Sequence, residues 1–474
     1  MKSTNSLLST RATITKLHLL PSLNDQKSLR GLKIILRATD QLMKNPDAVL
    51  AFRRAAARWE RVITTPITTV IDVDYGIQGF GVFFPPEVLG SSWPTGYYAQ
   101  LDDLGYALVP DIVQHLKDVK PSDPQLNALY DAIPFPTHST LQTDFGIAVG
   151  TLTNLQALGF IEAEVSANPN VNPFGSVPAI AFNSLFPFDL DPSDGIASTQ
   201  YDFDAVCTHE IGHALGFFMA TTFVTHLFME EFYSPWDLFR VRPDAVEPGS
   251  LVGFSTAPRV TTAGPVNSVT WATEGGKTYL YSTHVFFDGL AEVELSTATG
   301  ARLNGDGQQS SHWRDDDLRP PSLGANRWIG IMDPTLAAGT RLQINNQDLR
   351  MLEVNGIDYD FKYASMRIVN ALDTLDLDNR TDTLKFGNVE MNTQKQIQLQ
   401  FTNLSLDNPL VYEFEFILND VQPTDASITF SGNAGTIAAG QVWRSNFNRC
   451  KRNQTGFVFG NYKNPYERCE QISC

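Results

Sequence analysis

Two histidines and a glutamate share one short segment of the sequence, CTHEIGHALGFFM at residues 207–219. Side chains four residues apart lie on the same face of a helix, so His209 and His213 could bind one metal ion. Glu210 leaves the helix about 100° away from His209, where its carboxylate could reach a water molecule bound to that ion. Two histidines and a glutamate are costly to bury on an otherwise apolar helix without a partner, which favours a metal site.

Such a site needs further ligands, because a catalytic zinc ion is held by three protein side chains and a structural one by four. Gly216 predicts a sharp turn at the end of the helix, and Met219 beyond it is not a usual zinc ligand. His226 lies in an apolar stretch and His284 in an alternating one, so structural roles are the simpler interpretation of both. The residues that could supply the third ligand are His226, Glu230, Glu231, Asp237, His284 and His312.

The segment before this helix carries three closely spaced aspartates, Asp189, Asp191 and Asp194, ahead of a glycine. Carboxylates in a turn can bind calcium, which takes six to eight oxygen ligands. The spacing is not that of an EF-hand. The sequence therefore leaves two interpretations, a calcium site and a solvated acidic turn.

The elements around the histidine segment predict a mixed α+β chain. Apolar residues of segment 45–62 recur at spacings of three and four, which predicts an amphipathic helix. Segment 67–76 is β-branched and alternating, which predicts a strand. A strand, an acidic loop and a helix are predicted over 177–217, with Asp202 or Asp204 as the helix cap. Further helices are predicted near 101–116, 125–133 and 348–359.

The composition excludes some classes of protein. The formal net charge of −17 would repel a phosphate backbone and argues against nucleic-acid binding. No apolar run approaches the roughly 18 residues of a membrane span, and residues 1–22 lack the apolar core of a signal peptide. Of the four cysteines, Cys450, Cys469 and Cys474 lie within the last 25 residues, which favours one disulfide there and leaves a zinc site as the alternative. Cys207 is best interpreted as a small buried side chain.

The pattern of apolar and polar residues changes near residue 381. Segment 381–443 alternates apolar and polar residues in short runs separated by Asn, Asp and Pro, which predicts an antiparallel β-sandwich. The pattern resembles immunoglobulin-like domains, and the sequence does not indicate their partner. Residues 444–474 form a cysteine-containing tail without an assigned structure.

The order of motifs resembles the leishmanolysin-like branch of the metzincin metalloproteases, and uncharacterised bacterial metalloproteases of the same pattern. H-E-x-x-H-x-x-G at 209–216 is followed by S-H-W at 311–313, with 98 residues between His213 and His312, and then by the turn I-M-D-P at 331–334. The resemblance implies that His209, His213 and His312 are the zinc ligands and that Glu210 is the catalytic glutamate. It also implies that Met332 is the methionine of a turn beneath the metal.

The resemblance implies a zinc-protease domain over 45–372 with a β-rich insertion at 218–311, after an N-terminal leader or extension at 1–44. The expected activity is that of a zinc-dependent endopeptidase acting on protein or peptide substrates, in which Glu210 is the general base. The expected location is extracellular or at the cell surface. Two alternatives stay open: a secreted or surface binding protein that retains a zinc helix without catalysis, and a thermolysin-like protease with a glutamate ligand such as Glu230 or Glu231.

Overall fold

The structure, a computed structural model, divides the chain into two compact units, Met1–Asp360 and Phe361–Cys474. The residues it describes are 17–23, 31–84, 88–93, 96–98, 100–102, 105–119, 123–134, 147–160, 177–191, 195–219, 232–243, 250–260, 269–297, 305–359, 366–369, 374–377, 394–403, 416–418, 428–431, 435–437, 442–450, 458–459 and 472–473. Helices and sheets are both present, as expected of an α+β chain.

The first unit contains strands, α-helices and short 3-10 helices. Its strands are β1 (Leu17–Leu20), β2 (Lys33–Thr39), β3 (Thr68–Gly76), β4 (Gln78–Gly79), β5 (Val82–Phe83), β6 (Gly90–Trp93), β7 (Gly96–Tyr98), β8 (Gln100–Asp102), β9 (Gly105–Tyr106), β10 (Ile147–Thr151), β11 (Ala179–Asn183), β12 (Phe188–Asp189), β13 (Tyr201–Asp202), β14 (Phe232–Tyr233), β15 (Arg240–Val241), β16 (Thr270–Glu274), β17 (Lys277–Leu280), β18 (Val285–Phe287) and β19 (Glu292–Glu294). Its α-helices are α1 (Pro46–Val62), α2 (Val109–Val119), α3 (Pro124–Asp131), α4 (Leu152–Ala157), α5 (Phe203–Leu215), α6 (Leu251–Thr256) and α7 (Asn346–Val354). Its 3-10 helices are Leu42–Lys44, Pro235–Phe239, Asp316–Leu318 and Pro321–Arg327.

The main sheet of this unit has five strands in the order β1-β2-β3-β11-β6. Strands β2, β3 and β11 run parallel, and the two outer strands, β1 and β6, run antiparallel to their neighbours. Strands β3 and β11 are buried at almost every position, as expected of inner strands covered on both faces. The structure places β1 and β2 in this sheet, although both lie within the N-terminal extension predicted at 1–44.

Helices α1 and α5 pack against each other beside the sheet. The Asn45 side chain caps α1 by accepting a hydrogen bond from Ala48 N, and Pro46 occupies the first turn, where its missing N–H costs nothing. The Trp59 indole, completely buried, donates to Thr208 O at 2.9 Å and ties α1 to α5. Helix α1 and strand β3 confirm the elements predicted at 45–62 and 67–76.

The other predicted helices are present with changed boundaries. Helix α2 begins at Val109 rather than near residue 101, because the short strands β8 and β9 occupy 100–102 and 105–106. Helix α3 begins at Pro124, next to the Asp123 cap, and so agrees with the prediction at 125–133. Helix α7 ends before Gly356, which has a positive φ of 87° and ends the predicted segment as expected.

The predicted insertion at 218–311 contains β-hairpins where the structure describes it. Strands β16 and β17 pair antiparallel around Gly275 and Gly276, whose φ angles of 57° and 80° suit a tight hairpin turn. Strands β15, β18 and β19 form a second antiparallel sheet. This agrees with the prediction of a β-rich insertion.

The second unit consists of strands in its described residues. They are β20 (Met366–Val369), β21 (Thr374–Leu377), β22 (Gln394–Asn403), β23 (Phe416–Leu418), β24 (Ile428–Ser431), β25 (Gly435–Ile437), β26 (Val442–Cys450), β27 (Val458–Phe459) and β28 (Ile472–Ser473). Five of them form an antiparallel sheet in the order β21-β20-β22-β26-β24.

The boundaries of this unit differ from the prediction of a sandwich at 381–443. Strand β20, which lies within the predicted protease domain, pairs with β22 of the second unit, and β26 continues to Cys450. Cys469 and Cys474 lie outside the described residues, so the tail disulfide stays a prediction. Within the described part of the chain, no helix has both the length and the apolar character needed to cross a membrane.

Candidate metal centre

Helix α5 carries two of the candidate ligands and is fixed at both ends. Asp202 caps its start by accepting a hydrogen bond from Ala205 N at 3.1 Å. Gly216 ends it with a φ of 150°, and the Gly216 N–H donates to Gly212 O. Asp204, the other predicted cap, instead pairs with Arg54 of α1 at 2.7 Å. The helix that presents His209 and His213 is therefore anchored to the neighbouring helix.

The structure brings a third histidine to this pair. His312 Nε2 lies 3.1 Å from His209 Nε2 and 3.1 Å from His213 Nε2, although about one hundred residues separate it from both. The three ligand atoms form one of the side-chain groups in the described residues that could hold a metal ion. Local patterns in the sequence do not indicate this proximity, because the insertion separates His312 from His209 and His213.

Two of the other predicted third ligands have other partners. The buried Asp237 belongs to a capping box, in which its carboxylate accepts from Ser234 N at 2.8 Å. His284 is buried beside Arg240, which donates to its Nδ1. His226, Glu230 and Glu231 lie outside the described residues.

The second nitrogen of each triad imidazole contacts a backbone carbonyl. His209 Nδ1 lies 2.7 Å from Ile331 O, His213 Nδ1 lies 2.8 Å from Phe217 O, and His312 Nδ1 lies 2.9 Å from Gln309 O. A carbonyl oxygen only accepts, so each Nδ1 carries the proton and each Nε2 presents its lone pair. The three lone pairs therefore face one another.

This arrangement fits a cation. Nitrogens bound to one tetrahedral zinc ion at about 2.0–2.1 Å lie roughly 3.3 Å apart, close to the separations in the triad. Without a cation, three lone pairs repel one another and have no proton to share, because all three rings hold their proton at Nδ1. The chemistry of the donor set therefore suits a metal that prefers imidazole, such as zinc.

Burial keeps the three imidazoles neutral. Burial, reinforced by the charge of His213, lowers the pKa of His209 to about 3, although the Ile331 carbonyl opposes the shift. Burial lowers the pKa of His213 to about 4. The pKa of His312 is lowered well below its usual value by burial and by the other two histidines. Neutral imidazole is the form that binds metals.

Met332 lies directly beneath the helix that carries the two histidines. A Cβ added at Gly212 would come within 2.5 Å of Met332 Sδ, so the glycine allows this close approach. Met332 O accepts from Trp313 N at 3.1 Å, which joins the methionine turn to the residue after His312. Met219 is buried and its N–H donates to Ser311 Oγ at 3.2 Å, beside His312.

Glu210 lies next to the edge strand of the main sheet. Its carboxylate accepts a hydrogen bond from the Ser92 N–H of β6, which is the last strand in that sheet. Burial raises the pKa of Glu210 to about 8, and the Ser92 N–H opposes part of the shift. A carboxyl with a pKa in this range can both accept and donate a proton near neutral pH. Residues 80–135 gave no sequence signal for chemistry, so this neighbour of Glu210 was missed.

The predicted calcium turn is only partly described. Asp189 Oδ1 accepts a hydrogen bond from Asp191 N at 3.0 Å, as in a local turn. Asp194 lies outside the described residues. The calcium site therefore stays a prediction.

Comparison with known proteins adds little to this geometry. No family model and no curated protein matches the chain. A solved structure, the ASH / PapD-like domain of human CEP192 (PapD-like domain 7), is similar to part of it at 13% identity, over 21% of this chain and 71% of that domain. The TM-score is 0.12, which is too low to support any conclusion about fold or function.

Proposed function

We propose that the chain is a zinc-dependent endopeptidase of the metzincin type with a leishmanolysin-like arrangement. The observation that carries the proposal is the convergence of three imidazole Nε2 atoms, one of them from His209, which directly precedes the buried Glu210 in helix α5. Three protein ligands leave a coordination position open for water, which a catalytic zinc ion needs and a structural one does not. A glutamate that directly follows a ligand histidine in the same helix has a role in hydrolysis and none in a purely structural site.

The metal ligands, Glu210 and the backbone carbonyls have separate roles in the proposed hydrolysis. A zinc ion at the triad would lower the pKa of a water molecule and polarise the carbonyl of a peptide bond. Glu210 accepts the proton of the attacking water and then donates it to the nitrogen of the departing amine. The carbonyl oxygens of Ile331, Phe217 and Gln309 hold the three rings in one tautomer and orientation throughout.

Strand β6 supports a proposal for how a substrate binds. It lies at the edge of the main sheet, and its residue Ser92 contacts Glu210. An edge strand presents backbone groups that can pair with an extended peptide. An extended protein segment that adds to β6 would bring its peptide bonds past Glu210. The substrate class is therefore protein or peptide.

The other parts of the proposal concern the rest of the chain. The β-rich insertion leaves the site after Gly216 and returns at His312, so it forms one wall of the substrate cleft. The antiparallel strands of the second unit support an immunoglobulin-like accessory domain. The location proposed for an enzyme of this type is extracellular or at the cell surface.

Glu210→Gln tests the role of the glutamate. The variant should keep stoichiometric zinc and lose casein hydrolysis by about 10²- to 10⁴-fold, the usual contribution of a general acid–base residue. Glu353→Gln is the matched control, since Glu353 lies on α7 and pairs with Arg350. Chelator should abolish the hydrolysis of the unsubstituted protein. Retained peptidase activity in Glu210→Gln would refute the role of the glutamate.

His312→Ala tests the third ligand. Zinc content should fall in His312→Ala and stay unchanged in the control His18→Ala, because His18 pairs with Asp40. Stoichiometric zinc in His312→Ala would show that another residue is the third ligand. A protein that binds zinc and hydrolyses no peptide bond would support the alternative of a binding protein.

A further inference from the structure

A single buried carboxylate joins the two segments that hold the metal centre. Asp348 lies in the first turn of α7 and is fully buried. Its Oδ1 accepts a hydrogen bond from Trp313 Nε1 at 2.8 Å, and its Oδ2 accepts one from Ile331 N at 2.9 Å. The backbone N–H of Met332 also donates to this carboxylate. The donors come from the residue next to His312 and from the turn beneath α5.

One connection from Asp348 leads to His209 through a peptide group. The peptide between Ile331 and Met332 points its N–H at the Asp348 carboxylate and its carbonyl at His209 Nδ1, 2.7 Å away. A carboxylate at the N–H end polarises the peptide and makes its carbonyl a stronger acceptor. A stronger acceptor for the Nδ1 proton raises the donor strength of Nε2 and fixes the plane of the ring.

The other connection leads to His312 through its neighbour. Trp313 is completely buried, and its indole is held by Asp348 while its backbone N–H donates to Met332 O at 3.1 Å. Both bonds fix the chain directly after His312. The orientation of the His312 imidazole therefore depends on the same carboxylate.

The start of α7 holds the methionine turn at several atoms. Asn345 N donates to Asp348 Oδ2 at 3.0 Å, and Asn345 Nδ2 donates to Ile329 O at 2.6 Å. A Cβ added at Gly330 would lie 2.3 Å from Asp348 Oδ1, so only glycine allows this approach. The capping box of α7 thus serves the metal centre in addition to beginning a helix.

We propose that Asp348 is a positioning residue of the metal centre: it strengthens and orients His209 through the 331–332 peptide, and fixes His312 through Trp313. The proposal rests on the zinc site of the proposed function and does not depend on peptide hydrolysis. It differs from a purely structural role because it predicts a change in metal affinity that exceeds the change caused by an equally buried carboxylate elsewhere.

The test is the zinc affinity of Asp348→Asn, measured on the metal-free full chain by competition with a chromophoric chelator. The affinity should fall about 10- to 100-fold, the usual effect of removing an outer partner of a metal-binding histidine. Asp74→Asn is the matched control, because Asp74 is also buried and accepts from two backbone N–H groups, those of Tyr75 and Phe80. This control should lose stability and keep its zinc affinity.

The absorption spectrum of bound Co²⁺ supplies a second measurement. It should change in Asp348→Asn, because the rings are reoriented, and stay unchanged in Asp74→Asn. If Asp348→Asn does not fold, Trp313→Phe removes one donor to the carboxylate and should weaken zinc binding to a smaller extent.

The outcomes separate this proposal from the proposed function. Equal zinc affinity in folded Asp348→Asn and in the unsubstituted protein, or an equal loss in Asp74→Asn, would overturn the positioning role and leave the endopeptidase untouched. Zinc binding that depends on Asp348 in a protein without peptidase activity would support the positioning role and refute the endopeptidase. An unsubstituted protein that binds no zinc would overturn both.

Discussion

The neutral histidine triad makes the metal-free protein sensitive to acid, and His209→Gln should reduce that sensitivity. Burial and the neighbouring His213 lower the pKa of folded His209 to about 3, whereas an unfolded histidine has a pKa of about 6.5. Below pH 6.5 the unfolded chain therefore binds a proton at this residue that the folded chain does not. The resulting stability is present above pH 6.5 and is lost as the pH falls towards 3.

The size of the effect follows from the pKa difference. Between pH 7 and pH 4 the unfolded His209 goes from about one quarter protonated to almost fully protonated while the folded residue gains little, which corresponds to about 3 kcal/mol. Glutamine is polar and has no titrating group in this range.

The assay is urea unfolding in the presence of a chelator at pH 7, 5.5 and 4, for the unsubstituted protein, His209→Gln and the control His18→Gln. Between pH 7 and pH 4 the unsubstituted protein should lose about 3 kcal/mol more free energy of unfolding than His209→Gln. The control should follow the unsubstituted protein. If the free energy of unfolding changed with pH in the same way in all three proteins, His209 would not be held neutral by its surroundings. That result would contradict the buried triad.

Two further predictions concern the anchoring of α5. Arg54→Met should cost about 3 kcal/mol in urea unfolding, because the buried Asp204 loses both bonds from Arg54 and keeps only the longer one from Arg58, at 3.3 Å; a variant as stable as the unsubstituted protein would contradict this. Burial raises the pKa of folded Asp202 to about 6, so its contribution to stability falls as the pH rises from about 4 to 6, opposite in sign to that of His209. Asp202→Asn keeps the helix cap, and between pH 4 and pH 7 it should gain about 2 kcal/mol relative to the unsubstituted protein in the same assay; an unchanged difference between the two proteins across this range would refute the shift.

Local patterns in the sequence were sufficient for the elements that carry the first two histidines. The spacing of apolar residues in α1, the alternation in β3 and the Asp202 and Gly216 boundaries of α5 each depend on neighbours within a few residues. Such signals are available in one sequence. Two strand pairings were missed, that of β2 with β3 and that of β20 with β22. Strand partners are distant in sequence, and the partner decides to which sheet a short strand belongs.

The sequence by itself determined which groups could do chemistry, since the helical spacing of His209 and His213 places both rings on one face with Glu210 beside them. It left the third ligand open among six residues, and only a resemblance favoured His312. Tertiary structure decided which side chains meet: the contact of His312 with the pair, of Ser92 with Glu210, and of Asp348 with Trp313. These contacts join residues that no local pattern relates, because burial and backbone hydrogen bonds across the fold set their distances.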